Sequence, residues 1–79
     1  MMNLYDFHAM TTNEKIASVW TGTFIGDRPE GDLFVQLYNM DTFYAEIFYD
    51  QKLNEVVKVR GFKSTRLLAP YLNGIKIKF

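Results

Sequence analysis

The 79-residue chain contains no cysteine, and this absence excludes disulfide bonds, thiolate metal ligands and cysteine nucleophiles together. It has no apolar run near 18 residues, so no segment is expected to cross a membrane. The first residues show no basic stretch followed by an apolar one, so we expect no secretory signal. The sequence therefore favours a cytoplasmic protein without a membrane partner.

Groups that carry catalytic or metal chemistry are also scarce. His8 is the only histidine, and Asp6 is its only nearby carboxylate, which is too little for a metal site. Asp27, Glu30 and Asp32 crowd one turn, but their spacing matches no loop that closes six or more oxygens around Ca²⁺. The glycines form no phosphate-binding pattern, and the serines lack a neighbouring base. We expect no enzyme activity, no cofactor and no metal.

Aromatic residues, in contrast, are abundant. Seven Phe, five Tyr and one Trp make up 16% of the chain. A chain this short buries only a small core, so part of the aromatic surface is expected at an interface. No linker, repeat or low-complexity tract interrupts the sequence, and residues 1–79 are predicted to form a single domain.

The net charge is zero but unevenly distributed. Residues 1–51 sum to −6 and residues 52–79 to +6. Either the two halves pair across a sheet, or the basic half forms a patch for an anionic partner. Zero net charge argues against strong nonspecific binding of nucleic acid, which depends on neutralising phosphates.

Local signals predict an α+β fold. Residues 1–10 form a turn or short helix, and Thr11 with Glu14 reads as a capping box that begins a helix. Gly22 is predicted to end that helix in the left-handed conformation. Residues rich in Val, Ile, Phe and Tyr between polar breaks predict strands at 23–27, 33–39, 43–50 and 55–62, with a turn at 27–32 between the first two.

The C-terminal part predicts a second helix. Ser64 can cap it, and Pro70 lies too deep for a first turn, so a kink or two short turns are expected. Gly74 is the predicted end, and residues 75–79 alternate as a last edge strand would. The predicted fold is a three- to four-stranded antiparallel meander, with a short N-terminal helix and a C-terminal helix packed on one face.

Strand registers follow from keeping apolar side chains together. A three-residue loop at 51–53 sets Ile47 opposite Val57 and Glu46 opposite Lys58. A three-residue loop at 40–42 places the aliphatic side chains of the preceding strand on the same face as Ile47. However, β-branched Thr42 disfavours the left-handed conformation that such a loop needs. A two-residue turn at 40–41 is the alternative, and it would flip that strand.

The favoured registers give the sheet two unlike faces. One is aliphatic and is expected to lie under the helices; it contains Leu33, Val35, Leu37, Ala45, Ile47, Val57 and Val59. The other mixes aromatic and basic side chains and is the candidate interface, with Phe34, Tyr38, Tyr44, Phe48, Lys58, Arg60 and Phe62.

Three motifs give the chain a resemblance to a known group. They are a Phe-Tyr-x-Glu-x-aromatic-Tyr strand at 43–49, a basic strand ending in Phe at 57–62, and a Leu-Leu-x-Pro-Tyr-Leu ending at 67–72. In these motifs the chain resembles a group of small uncharacterised bacterial proteins over roughly residues 12–75. The resemblance implies no activity and no functional residues.

Two functions from different classes fit these features. The leading one is a non-catalytic interaction module that forms a homodimer, or binds another protein, through the aromatic face; symmetric dimers are the commonest oligomers. The alternative is single-stranded nucleic acid, bound by stacking and cations at Tyr38, Tyr44, Lys58 and Arg60. The sequence does not decide which face Trp20 and Phe24 occupy.

Overall fold

The computed structural model describes residues 2–72 and confirms an α+β fold. Four antiparallel strands form a meander in the order β1-β2-β3-β4. The predictions for Gly74 and for residues 75–79 lie outside the described residues. The elements are α1 (Leu4–His8), α2 (Thr12–Val19), β1 (Thr23–Glu30), β2 (Leu33–Asn39), β3 (Tyr44–Asp50), β4 (Glu55–Phe62), a 3₁₀ helix (Thr65–Leu68) and α3 (Ala69–Leu72).

The predicted capping box at the start of α2 is confirmed. The Thr11 hydroxyl accepts a hydrogen bond from the Glu14 amide at 3.2 Å, and the Glu14 carboxylate accepts one from the Thr11 amide at 2.9 Å. The hydrogen bond from the Thr11 backbone, then that from its side chain, lowers the pKa of Glu14. A second capping box, between Asn3 and Asp6, begins α1, so the first ten residues do contain a short helix.

The predicted role of Gly22 is wrong. Helix α2 ends at Val19 with Trp20 as its C-cap in right-handed conformation, and among the glycines of residues 2–72 only Gly31 has a positive φ. A Cβ on Gly22 would lie 2.5 Å from the Met40 sulfur. Gly22 therefore allows close approach of the chain to the end of β2, while Gly31 makes the turn between β1 and β2.

The β3–β4 register differs from the prediction by two residues. Ile47 lies opposite Val59 and Glu46 opposite Arg60, with an irregularity in the pairing beyond Phe48. The loop, at 51–54, has four residues rather than three, and its last residue, Asn54, has a φ of 55°. A shift of two keeps the side chains of residues 58–62 on their predicted faces. Val57 falls at the irregularity, pairs with nothing on β3 and is exposed, and Val56 lies opposite Tyr49, on the other face from the one predicted.

The predicted β2–β3 register is also wrong, and this error changes the face on which each β2 side chain lies. Residues 40–43 make a four-residue loop in which Asp41, not Thr42, takes the left-handed conformation, with φ 72°. Val35 consequently lies opposite Phe48, and Leu37 opposite Glu46. The extra residue turns β2 over, so its aliphatic and aromatic side chains exchange faces.

Helices cover both faces of the sheet, whereas the prediction placed them on one aliphatic face. Helices α1 and α2 cover the face that carries Ala45 and Ile47, called the helix face below. Their joint core consists of Phe7, Val19, Met40, Phe43, Ala45 and Ile47. The C-terminal helices lie on the opposite face, called the Glu46 face, where Tyr71 packs with Leu37 and Phe62.

The two short C-terminal turns follow the expectation from Pro70. The 3₁₀ helix passes directly into α3 at Ala69, and the Ser64 side chain makes no capping hydrogen bond. Among residues 2–72, every helix is too short to cross a membrane.

Candidate functional site

The structure does not bring the seven candidate interface residues together. Because β2 is turned over, Phe34 and Tyr38 lie on the helix face, and their predicted placement beside Tyr44 is wrong. The remaining five share the Glu46 face, as predicted. Two of these, Phe48 and Phe62, are only 2% and 6% exposed, so their rings pack within the protein.

Glu46 is the centre of that face. Its side chain is fully buried, and Arg60 stands directly opposite it on β4. Arg60 donates from Nε to Glu46 Oε1 at 2.8 Å and also from Nη2. Arg28 donates to Oε2 at 3.3 Å, and the Tyr71 hydroxyl donates to the same oxygen. One buried carboxylate thus holds two guanidinium groups and the C-terminal helix.

The position of Tyr71 follows from the residues beneath it. Gly26, on β1, is buried and lies opposite Leu37, which in turn lies opposite Glu46. A glycine leaves that row without a side chain at its β1 end, and α3 contacts strand β1. Burial, followed by the hydrogen bond to Glu46 and the charge of that carboxylate, raises the pKa of Tyr71 well above its ordinary value. The phenol is therefore held as a donor.

Phe48 lies in the neighbouring row and is surrounded by cations. Lys58 Nζ is 5.0 Å from its ring centroid, while the guanidinium carbons of Arg60 and Arg28 are 5.8 and 5.9 Å away. Such contacts are favourable because the ring face is negative. They also cover the ring, so Phe48 offers no flat surface on which a base could stack.

The helix face is open where α2 ends. A groove of about 420 Å³, called the aromatic groove below, lies between the end of α2 and strands β2, β3 and β4. Its lining is more apolar than polar, and within it Tyr49 donates its hydroxyl hydrogen to Asn54. The lining residues are Trp20, Phe34, Gln36, Ile47, Tyr49, Asn54, Glu55 and Val56.

Two large aromatic side chains are exposed on or near this face, and one of them, Trp20, lines the groove. Trp20 is 62% exposed and Phe24 is 50% exposed. Phe24 meets Tyr38 edge to ring, with centroids 5.6 Å apart and planes at 72°. The sequence left the face of Trp20 and Phe24 undecided; the pairing of Phe24 with Tyr38 places it on the helix face.

Sequence reasoning missed two partners of Glu46. Arg28 was assigned to a turn by composition, but β1 continues to Glu30 and carries Arg28 opposite Val35. Tyr71 entered the sequence analysis only as part of the motif at 67–72. The signal for the turned strand was present: Asp tolerates the left-handed conformation far better than β-branched Thr42, which favours a loop built around Asp41.

Comparisons with family models, with curated proteins and with solved structures found no match to this chain. The predicted resemblance to small bacterial proteins stays a prediction. Residues 2–72 contain no cluster of three or more side chains of the types that hold metal ions. The aromatic groove and the Glu46 face are accordingly the two surfaces from which a function can be inferred.

Proposed function

We propose that this protein is a small interaction module that forms a homodimer through the aromatic groove. The observation that carries the proposal is the placement of Trp20, a largely exposed ring next to an apolar concavity on the same face. The aromatic composition led us to expect self-association, and we still propose it. The proposed interface now lies on the helix face instead of the Glu46 face.

A second copy fits this surface because of symmetry. In a twofold interface the same patch is used by both partners, so it must contain both the projecting and the receiving part. Trp20 projects and the groove beside it receives, and both belong to one copy. A twofold axis near the end of α2 would place each indole in the groove of the other copy.

The exposed aromatic area is large enough to form the centre of a protein–protein interface. A standard interface buries about 800 Å² per partner. With aromatic side chains contributing about 150–250 Å² each when fully buried, Trp20 and Phe24 alone would contribute on the order of 250 Å². The groove wall and its polar rim, which includes Glu55 and Asn54, would supply the remainder in the usual arrangement of apolar centre and wet edge.

The mass in solution tests this proposal. Light scattering should show a concentration-dependent rise from the monomer mass of 9.3 kDa to twice that value. Trp20→Ser should leave a monomer at every concentration, because buried tryptophans are frequent interface hot spots. Its circular dichroism spectrum should match that of the wild type, since the indole is mostly exposed in the monomer.

Tyr5→Ser is the matched control. Tyr5 is 83% exposed on α1, away from the groove, so its removal should leave dimerisation unchanged. A wild-type monomer at high micromolar concentration contradicts the proposal, as does an equal loss of dimer in both variants. If the wild type is a monomer, a different protein becomes the expected partner of the aromatic groove.

A further inference from the structure

The Glu46 face gathers three cations at one end of the sheet. Arg28, Lys58 and Arg60 all lie within 6 Å of the Phe48 ring centroid. Arg28, on β1, lies in line with Val35, Phe48 and Lys58 across the four strands. Strand pairing therefore sets the spacing of these cations, which does not depend on the flexibility of their side chains.

Glu46 has no remaining capacity to accept hydrogen bonds. Its Oε1 accepts two from Arg60, and its Oε2 accepts one from Arg28 and one from Tyr71. An ionised carboxylate has about four lone-pair positions, so these four donors fill it. Any further donor in the cluster needs an acceptor from elsewhere.

Several donors in the cluster have no acceptor within residues 2–72. Lys58 forms no ion pair there. The buried Nε of Arg28 has no partner in that range either. Arg28 also pairs with Glu30 at 3.0 Å on the rim, so two carboxylates balance three cations and one positive charge is left over.

From this surplus we propose that Lys58 and Arg60, backed by Arg28, form a binding site for a phosphate group. Lys58 is exposed and Arg60 is partly exposed, so an anion can reach both from solvent. They are two residues apart on one strand, which separates their positions by about 6.7 Å. Two oxygens of one phosphate, each taking a hydrogen bond of about 2.8 Å, span that distance.

Phosphate fits these donors better than a single carboxylate does. A guanidinium binds oxyanions through its planar fork, and the Lys58 ammonium supplies a point charge. A carboxylate partner already exists in Glu46, and it uses the inner edge of Arg60. The outer edge and the ammonium remain for a larger, tetrahedral anion with a charge near −2 at neutral pH.

Titration with inorganic phosphate, followed by NMR at constant ionic strength with chloride as the balancing salt, tests the site. We expect saturable shifts at the Lys58 amide and at the Nε–H groups of Arg60 and Arg28. Phenyl phosphate in a parallel titration separates the two sources of the group. Equal affinity identifies free phosphate as sufficient, and tighter binding identifies an aromatic phosphate ester.

The variant to use is Lys58→Gln, because Arg60 also holds a buried carboxylate and its replacement could unfold the chain. Lys58→Gln should weaken phosphate binding by about tenfold, the value of one charge-assisted hydrogen bond. Lys52→Gln removes the same charge from the exposed β3–β4 loop and should leave affinity unchanged. Equal weakening in both variants, or shifts that do not saturate with either phosphate compound, would overturn the proposal.

Discussion

The two faces of this sheet are built from the same four strands but are stabilised by different interactions. The helix face is covered by α1 and α2 through apolar contacts, with Phe7, Val19 and Ala45 showing no exposed surface. The Glu46 face is organised around one buried carboxylate and its hydrogen bonds. Apolar contacts depend on how well the side-chain shapes fit together, whereas a buried charge depends on every partner.

This difference also separates the two proposed surfaces. The helices leave part of the helix face uncovered, and the exposed surface there is aromatic. On the Glu46 face the aromatic ring is buried and the exposed groups are cations. An apolar partner and an anion can therefore bind the same domain on opposite sides without competing.

Removing the carboxylate should give the largest effect and would show that the Glu46 face depends on charge. Glu46→Ala leaves Arg28 and Arg60 partly buried without their counterion, which should lower the free energy of unfolding by about 3 kcal/mol. Urea denaturation measures this. Glu55→Ala removes an equal charge from an exposed position on β4 and should change stability by less than about 0.5 kcal/mol.

A variant that does not fold at all is consistent with the same reasoning, because small domains have little stability to lose. A small loss for Glu46→Ala, comparable to that of Glu55→Ala, would mean that the ion pairs contribute nothing net. The contrast drawn between the two faces would then be wrong.

The stability of the helix face should depend on the shape of its side chains rather than on charge. A Cβ on Gly61 would lie 2.7 Å from Leu4 and 2.9 Å from Phe7, so Gly61→Val should push α1 off the sheet at a cost of about 2 kcal/mol. Urea denaturation again gives the value. Gly31→Asn is the control, because nothing lies within 4 Å of a Cβ there and Asn tolerates its positive φ. Equal losses in both would show that α1 packs loosely.

The sequence predicted the elements of this fold well and its faces poorly, for one physical reason. Strands and caps are local signals, and the α2 capping box, the β2 and β4 bounds and the C-terminal double turn follow from neighbouring residues. A face depends on loop length, and one additional residue at 40–43 turned β2 over. Side chains such as Phe34 then exchanged sides although the bounds of β2 were predicted correctly.

The polar centre was beyond the reach of local reasoning. Glu46 was predicted to lie opposite Lys58, but its partner on β4 is Arg60, and its side chain is fully buried. Arg28 and Tyr71 come from positions 18 residues before and 25 residues after it. Contacts of that separation depend on the path of the whole chain, and a single sequence without related sequences carries no direct signal for them.

The smallest of the three effects on stability concerns the hydrogen bond that joins α3 to the Glu46 face. Tyr71→Phe removes only the hydroxyl, so the ring should still pack on Leu37 and Phe62. A hydrogen bond to a charged acceptor contributes about 1.5 kcal/mol, and the variant should be less stable by that amount at neutral pH. Urea denaturation of both proteins across a pH series measures it.

The pH dependence distinguishes this bond from simple packing. The pKa of Tyr71 in the folded protein is raised above the ordinary value of 10.0, so above that pH the unfolded chain releases a proton that the folded chain keeps. The stabilisation is complete below pH 10.0 and is lost as the pH rises further, by at most ~1.4 kcal/mol per pH unit. The advantage of the wild type over Tyr71→Phe should therefore shrink in alkaline solution. No difference in stability between the two proteins at any pH would mean that Tyr71 stabilises the Glu46 face by its ring alone, as residues do on the helix face.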